Sequence, residues 1–208
     1  MTAKTLTKTA KSVTRAEKRV AEVAAEHRDT PPVEVLSKLS DAGDQPQLRW
    51  LSGGLFAAGL LTRRPRLARA GVRMLVAHEV ATLVKNFIKN RVDRTRPRSA
   101  DSAKDSEVRR GHRSSKEETS FPSGHTAGAT AVAQAFAREF PEHQIAARAA
   151  AGVIGLAQIP RCAHYPTDVG VGALVGVAAE AAVANLWPAE NDEPAITPEE
   201  PQPLPLPA

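Results

Sequence analysis

Lys89 closes an apolar stretch, and Arg94, Arg96, Pro97 and Arg98 follow it closely. An ammonium and a guanidinium fork held together can grip phosphate oxygens, the fork through paired hydrogen bonds and the ammonium as a mobile point charge. Taken alone, such a cluster is more simply the interfacial anchor that ends many membrane helices. Next comes Phe121–Pro122–Ser123–Gly124–His125, ahead of an alanine-rich run. Ser123 suits a helix N-cap, Gly124 lets backbone approach a ligand, and the free N–H groups of a helix start attract anions. His125 stands there as an acid able to protonate a leaving oxygen. An ordinary capped helix with a surface histidine is the plainer alternative. The third cluster is Arg161–Cys162–Ala163–His164–Tyr165–Pro166–Thr167–Asp168. Pro166 fits the first turn of a helix, and His164 and Asp168, four apart, can meet across that turn. A carboxylate on one imidazole nitrogen fixes the tautomer and makes the other nitrogen a better nucleophile, although such a pair can also merely cap a helix. Arg161 adds a further cation.

The three clusters share a position. The apolar run 70–88 ends at Lys89, 125–140 begins at His125, 145–160 ends at Arg161, and the last run begins just after His164. In an up-down bundle with short turns all four ends fall on one face. The assembled inventory is several cations, an N-terminal anion nest, two histidines and one aspartate. Moving a phosphoryl group onto an imidazole needs charge stabilisation around phosphorus and an acid for the leaving group, and this set supplies both.

Five apolar segments are available to position these groups, at roughly 48–62, 70–88, 125–140, 145–160 and 169–187, each rich in Ala, Gly, Leu and Val. Small residues let helices approach closely. Most of the runs are shorter than the roughly 20 residues that span a bilayer comfortably. Arg73, Glu79, Arg148 and Glu180 interrupt them, a pattern that fits a membrane bundle if these side chains face its interior. His78, Thr82, Lys85 and Lys89 form a polar stripe along the second segment, either lining a path to the site or serving as structural partners.

The expected organisation is a polar N-terminal arm over 1–46, a helical domain over 47–187 and a disordered Pro/Glu-rich tail over 188–208. The arm is mixed in charge with a weak apolar stripe at Val13, Val20, Val23 and Ala24. It reads as a solvated or disordered segment or a short surface helix. The net charge of +5 suits anionic partners. Aromatics make up only 4% of residues, which argues against nucleic acid, whose single strands need stacking platforms. The lone Cys162 forms no internal disulfide, and no Cys or His cluster has the spacing of a zinc site.

Lys89-x6-Arg96-Pro97, then Pro122-Ser123-Gly124-His125, then Arg161…His164-x3-Asp168 resembles, over roughly residues 50–187, the signature of the type-2 phosphatidic acid phosphatase family. The family pattern is Lys-x6-Arg-Pro, Pro-Ser-Gly-His and Ser-Arg-x5-His-x3-Asp. The third part departs from it, reading Arg161-x2-His164, with Pro160 where the family has a small polar residue. Arg161 then reaches the phosphate from a shorter loop, or its role passes to Arg94 or Arg98. The resemblance implies an all-α, membrane-embedded bundle of about five transmembrane helices that uses neither cofactor nor metal. It implies His164 as the nucleophile that becomes phosphohistidine, Asp168 as its support, and His125 as the acid that later activates water. Lys89, Arg96, Pro97, Ser123, Gly124 and Arg161 would form the phosphate-binding set. The implied substrates are lipid phosphates and diphosphates such as phosphatidate, phosphatidylglycerol phosphate and polyprenyl diphosphates. Location in a bacterial inner membrane, with the site facing the periplasm or exterior, follows the family habit. A non-catalytic membrane protein that binds anionic lipid headgroups is the alternative reading, and vanadium-dependent haloperoxidases, which share the site arrangement, are a more distant one.

Overall fold

Four of the helices begin with proline in the first turn, where the missing N–H leaves no hydrogen bond unmade. The computed structural model describes residues 3–100, 107–111 and 115–189. In chain order the helices are α1 (Ala3–His27), α2 (Pro31–Ser40), α3 (Gln45–Leu61), α4 (Pro65–Lys89), α5 (Gly124–Glu139), α6 (Gln144–Leu156) and α7 (Pro166–Leu186). Between α4 and α5 a short antiparallel pair joins β1 (Val92–Asp93) to β2 (Arg109–Arg110). The architecture is an all-α bundle, and α3 to α7 coincide with the five apolar segments. The tail expected from 188 lies outside the described residues, apart from Pro188 and Ala189.

The centre of the bundle is α5, which packs on α3, α4, α6 and α7. Its sequence makes this possible: Ala127, Gly128, Ala129, Ala131, Ala133, Ala135 and Ala137 are all buried, and small side chains allow neighbours on every side. The approach of α7 is the tightest. A Cβ on Gly172 would lie 2.6 Å from the Ser123 carbonyl, and one on Gly176 would lie 2.6 Å from the Ala127 carbonyl. This contact sets α7, and with it Asp168, against the start of α5.

The polar interruptions divide into two groups. Arg73 and Glu180 face the interior, at the end of the bundle remote from His125. Arg73 Nε donates to Glu139 at 2.9 Å, Arg69 reaches the same carboxylate at 3.1 Å, and Arg138 Nε donates to Glu180 at 2.7 Å. Mutual pairing is what makes such charges tolerable away from water. Glu79 instead pairs with Arg49 on the outside, and Arg148 bonds Gln134 and Gln144 at the surface.

The N-terminal arm, expected to be a solvated or disordered segment or a short surface helix, is helical. It forms α1 and α2, and α1 buries Glu17 and Ala24. Few apolar side chains are involved; α1 is held by the polar partners of Glu17 described below.

Gly176→Leu forces its side chain into the backbone of α5. It is expected to destabilise the bundle by about 1–3 kcal/mol, read as a lowered Tm of the detergent-solubilised protein.

Candidate active site

The loop after α4 is shaped by backbone bonds to the short 3-10 turn Lys116–Glu118 and the residues that follow it, ahead of α5. Arg94 N donates to Glu118 O at 2.9 Å, Arg96 N to Glu117 O at 2.8 Å, and Ser120 N to Arg94 O at 2.9 Å. These bonds turn alternate arginines inward, so Arg94 and Arg96 are buried while Arg98 stays outside. On the far side, the turn from α6 into α7 folds so that Ala163 N and His164 N both donate to the Gln158 carbonyl. The Asp168 carboxylate then accepts from Tyr165 N at 2.9 Å and closes the first turn of α7.

These elements frame a polar cavity of about 310 Å³ whose lining includes Asp44, Lys85, Lys89, Arg96, Gly124, His125 and His164. The sequence-predicted Lys89, Arg96, Gly124, His125 and His164 are therefore together. Lys89 donates to the Thr119 carbonyl and Arg96 to the Ala163 carbonyl at 3.4 Å. Ser123 caps α5 by accepting from Thr126 N at 3.4 Å; it is buried beneath the cavity rather than on its wall, and its own N–H donates to the Asp168 carbonyl at 3.0 Å. Pro97 opens the short turn after Arg96 and is not part of the lining.

His164 Nδ1 lies 3.7 Å from Asp168 Oδ2, just beyond hydrogen-bond reach. Nδ1 faces the carboxylate, and Nε2 is the ring nitrogen turned away from it. Burial pushes the His164 imidazole down to about 4, against the pull of Asp168, and Arg96 pushes the same way as burial. The ring is consequently neutral through the whole neutral range.

The structure adds two acids that the sequence did not single out. Asp44, the residue before α3, places Oδ1 2.7 Å from His125 Nε2, off the line of a hydrogen bond. Glu17 of α1 is buried against the loop arginine. Its Oε2 accepts from Arg94 Nη2 at 2.9 Å, and its Oε1 accepts from Thr167 N at 2.8 Å and Thr167 Oγ1 at 2.6 Å. Arg94 Nη1 in turn donates to Asp168 at 2.5 Å, and its guanidinium stacks 4.0 Å from the centre of the Tyr165 ring. A chain of alternating charge thus runs Glu17–Arg94–Asp168, with the neutral His164 ring beside its last member.

Arg161 is placed elsewhere. Its Nη1 donates to Ser40 Oγ at 2.7 Å and Asp41 at 3.1 Å, and it does not line the cavity. Neither alternative arginine is free to replace it: Arg94 holds Asp168, and Arg98 is forked onto Glu117 at 2.9 and 2.5 Å, which lowers that carboxyl to about 2. Six residues before His164, where the resembled pattern has arginine, stands the fully buried Gln158, whose Oε1 lacks a hydrogen-bond partner. Asp41, Asp44 and His125 bring three possible metal-ligand atoms within 4.8 Å of one another, with Asp41 already paired to Arg161 and Asp44 beside His125.

Comparison with known proteins gives a match to the PAP2 superfamily over residues 70–192. The chain belongs to the PAP2 superfamily. It is a PAP2-type phosphatase, and it is 31% identical over 172 residues to the lipid A 1-phosphatase of Rhizobium etli, a match covering 75% of this chain and 72% of that protein. Two crystal structures share the PAP2 fold. The transmembrane PAP2-type phosphatidylglycerolphosphate phosphatase of Bacillus subtilis superposes with a TM-score of 0.59 at 22% identity, covering 84% of this chain and 88% of that one. Aquifex aeolicus LpxE superposes with a TM-score of 0.57 at 19% identity, covering 80% and 93%.

Glu17→Gln removes the anion behind Arg94 and loosens the His164–Asp168 pair. The expected result is a kcat about 10- to 100-fold lower with KM little changed, partly restored by Glu17→Asp. A second expectation concerns protonation: an imidazole NMR titration should show His164 staying neutral until the pH falls to about 4, well below its ordinary 6.5.

Proposed function

We propose that this PAP2 phosphatase hydrolyses a lipid phosphate or diphosphate through a phosphohistidine on His164, using the protein's own cations in place of a metal. The observation that carries this reading is the placement of the polar cavity beside an apolar groove. Gln45 and Pro46 of α3 line the cavity, while Leu48, Leu51 and Leu55, further along the same helix, line a groove of about 440 Å³ with Val132, Phe136 and Ile154. A headgroup phosphate held in the cavity leaves its tail against the groove.

His164 Nε2 attacks phosphorus in line with the scissile bond, while Asp168 supports the charge that grows on the ring. Lys89, Arg96 and the Gly124 N–H at the start of α5 hold the equatorial oxygens. His125 gives its proton to the departing oxygen, then takes one from the water that splits the P–N bond and frees inorganic phosphate. Phosphatidate, phosphatidylglycerol phosphate, polyprenyl diphosphate and a glycolipid 1-phosphate of the lipid A kind form the substrate panel.

Membrane embedding is supported by the outside of the bundle. Trp50, Leu61, Ile145 and Leu186 are each more than four-fifths exposed, an arrangement that suits lipid and not water. Among the described residues α7 is the one helix long and apolar enough to cross a membrane by length and composition. On this reading the site faces the periplasm or exterior of a bacterial inner membrane, which the family habit supports. The second reading, binding of anionic headgroups without turnover, is favoured by Gln158 and by the diversion of Arg161.

The detergent-purified protein is expected to release phosphate from at least one member of the panel in the presence of EDTA. His164→Ala should abolish release by a factor of about 10³ or more. Folded wild-type protein that binds the lipids and turns over none would support the second reading instead.

A further inference from the structure

Lys85 lies one turn of α4 before Lys89, on the same face and roughly 6 Å along the axis. The residue retains only 6% of its exposure, yet it lines the polar cavity and makes no hydrogen bond or ion pair among the described residues. The nearest acid on its own helix, Glu79, is occupied by both arms of Arg49, at 2.6 and 2.9 Å. Across the cavity, Asp168 is taken by Arg94 and Tyr165 N, and Asp44 sits against His125. Three cations, Lys85, Lys89 and Arg96, therefore line the cavity against a single lining carboxylate, Asp44, and positive charge is left in excess.

The location of Lys85 matters as much as its charge. A Cβ added to Gly124 would lie 3.1 Å from Lys85 Cδ and 3.6 Å from Nζ, so the ammonium rests against the first turn of α5 beside His125. Lys89 and Arg96 stand toward His164, through the loop that carries Arg96 onto the Ala163 carbonyl. The cavity thus has a nucleophile end and a leaving-group end, and Lys85 belongs to the second.

We propose that Lys85 and the first N–H groups of α5 form a subsite for a second phosphate, and that the preferred substrate is a lipid diphosphate. This rests on the phosphatase reading above and narrows it. The terminal phosphorus sits before His164 Nε2 with its oxygens on Lys89 and Arg96, and the lipid-linked phosphate lies on Lys85. Attack forms the N–P bond and breaks the bond from the terminal phosphorus to the bridging oxygen. That oxygen keeps the electron pair and becomes a terminal oxygen of the departing lipid monophosphate, whose added charge Lys85 meets. Water then cleaves the N–P bond, releasing inorganic phosphate and restoring His164.

The test compares farnesyl diphosphate with farnesyl phosphate, which share one tail, on the detergent-purified full chain. Wild type is expected to show the lower KM for the diphosphate. Lys85→Met should raise KM for the diphosphate about tenfold more than for the monophosphate, and Lys85→Arg should keep most of the preference. A matching melting temperature for both variants ties the change to the lost charge. Equal losses on the two substrates would overturn the proposal and make Lys85 a stand-in for the arginine that Gln158 lacks, gripping the single transferred phosphate. No change on either substrate would also overturn it. Absence of turnover by wild type on the whole lipid panel would instead remove the phosphatase reading on which it depends.

Discussion

A carboxylate taken fully out of water must be surrounded by donors, because an unpaired buried charge is strongly destabilising. Asp168 finds its donors on different parts of the chain. Tyr165 N comes from its own helix start and Arg94 from the loop after α4, while the His164 ring, in the turn after α6, stands 3.7 Å away. Each of these needs supports of its own: the backbone bonds of Arg94 and Arg96 to Glu117, Glu118 and Ser120 for Arg94, the Gln158 carbonyl for His164, and the close packing of α7 on α5 for the helix start. Removing solvent from one carboxylate therefore fixes the geometry of a whole end of the bundle.

The two ends of the bundle handle buried charge in opposite ways. At the end remote from the site, Arg69, Arg73 and Arg138 meet Glu139 and Glu180, and the charges largely satisfy one another. At the site end, Lys85, Lys89 and Arg96 outnumber their acids and remain turned to the cavity. The first arrangement is a structural tie; the second is a standing attraction for an anion, deepened by the low dielectric around it. Both depend on α5, whose alanines bring α4 and α7 close enough for residues on them to share one pocket.

Much of this was legible in the sequence. The apolar runs located α3 to α7 because the bundle buries one stripe of each helix, and the turn prolines marked where several begin. Lys89, Arg96, Gly124, His125 and His164 could be gathered from helix ends alone, since an up-down bundle returns alternate ends to the same face. Long-range pairing was not legible. Nothing local ties Glu17 to Arg94, 77 positions away, and a polar segment with one acid among many reads as solvated. Arg161 illustrates the converse. Its neighbours suggested a phosphate ligand, but the short link to His164 turns it outward, where Ser40 and Asp41 of the N-terminal region receive it. Lys85 stood in a recognised stripe, yet only the geometry separates it from His78, which is buried deeper among apolar atoms with both ring nitrogens unpartnered.

The sequence pattern that marks the superfamily spans 70–192, but the walls of the site do not respect that boundary. Gly43, Asp44, Gln45 and Pro46 form one side of the cavity, Ser40 and Asp41 hold Arg161, and Glu17 stands behind the arginine that steadies Asp168. The recognisable unit and the working unit of this chain are accordingly different lengths. The less regular N-terminal third is where a descendant could retune the enzyme while leaving every signature residue untouched.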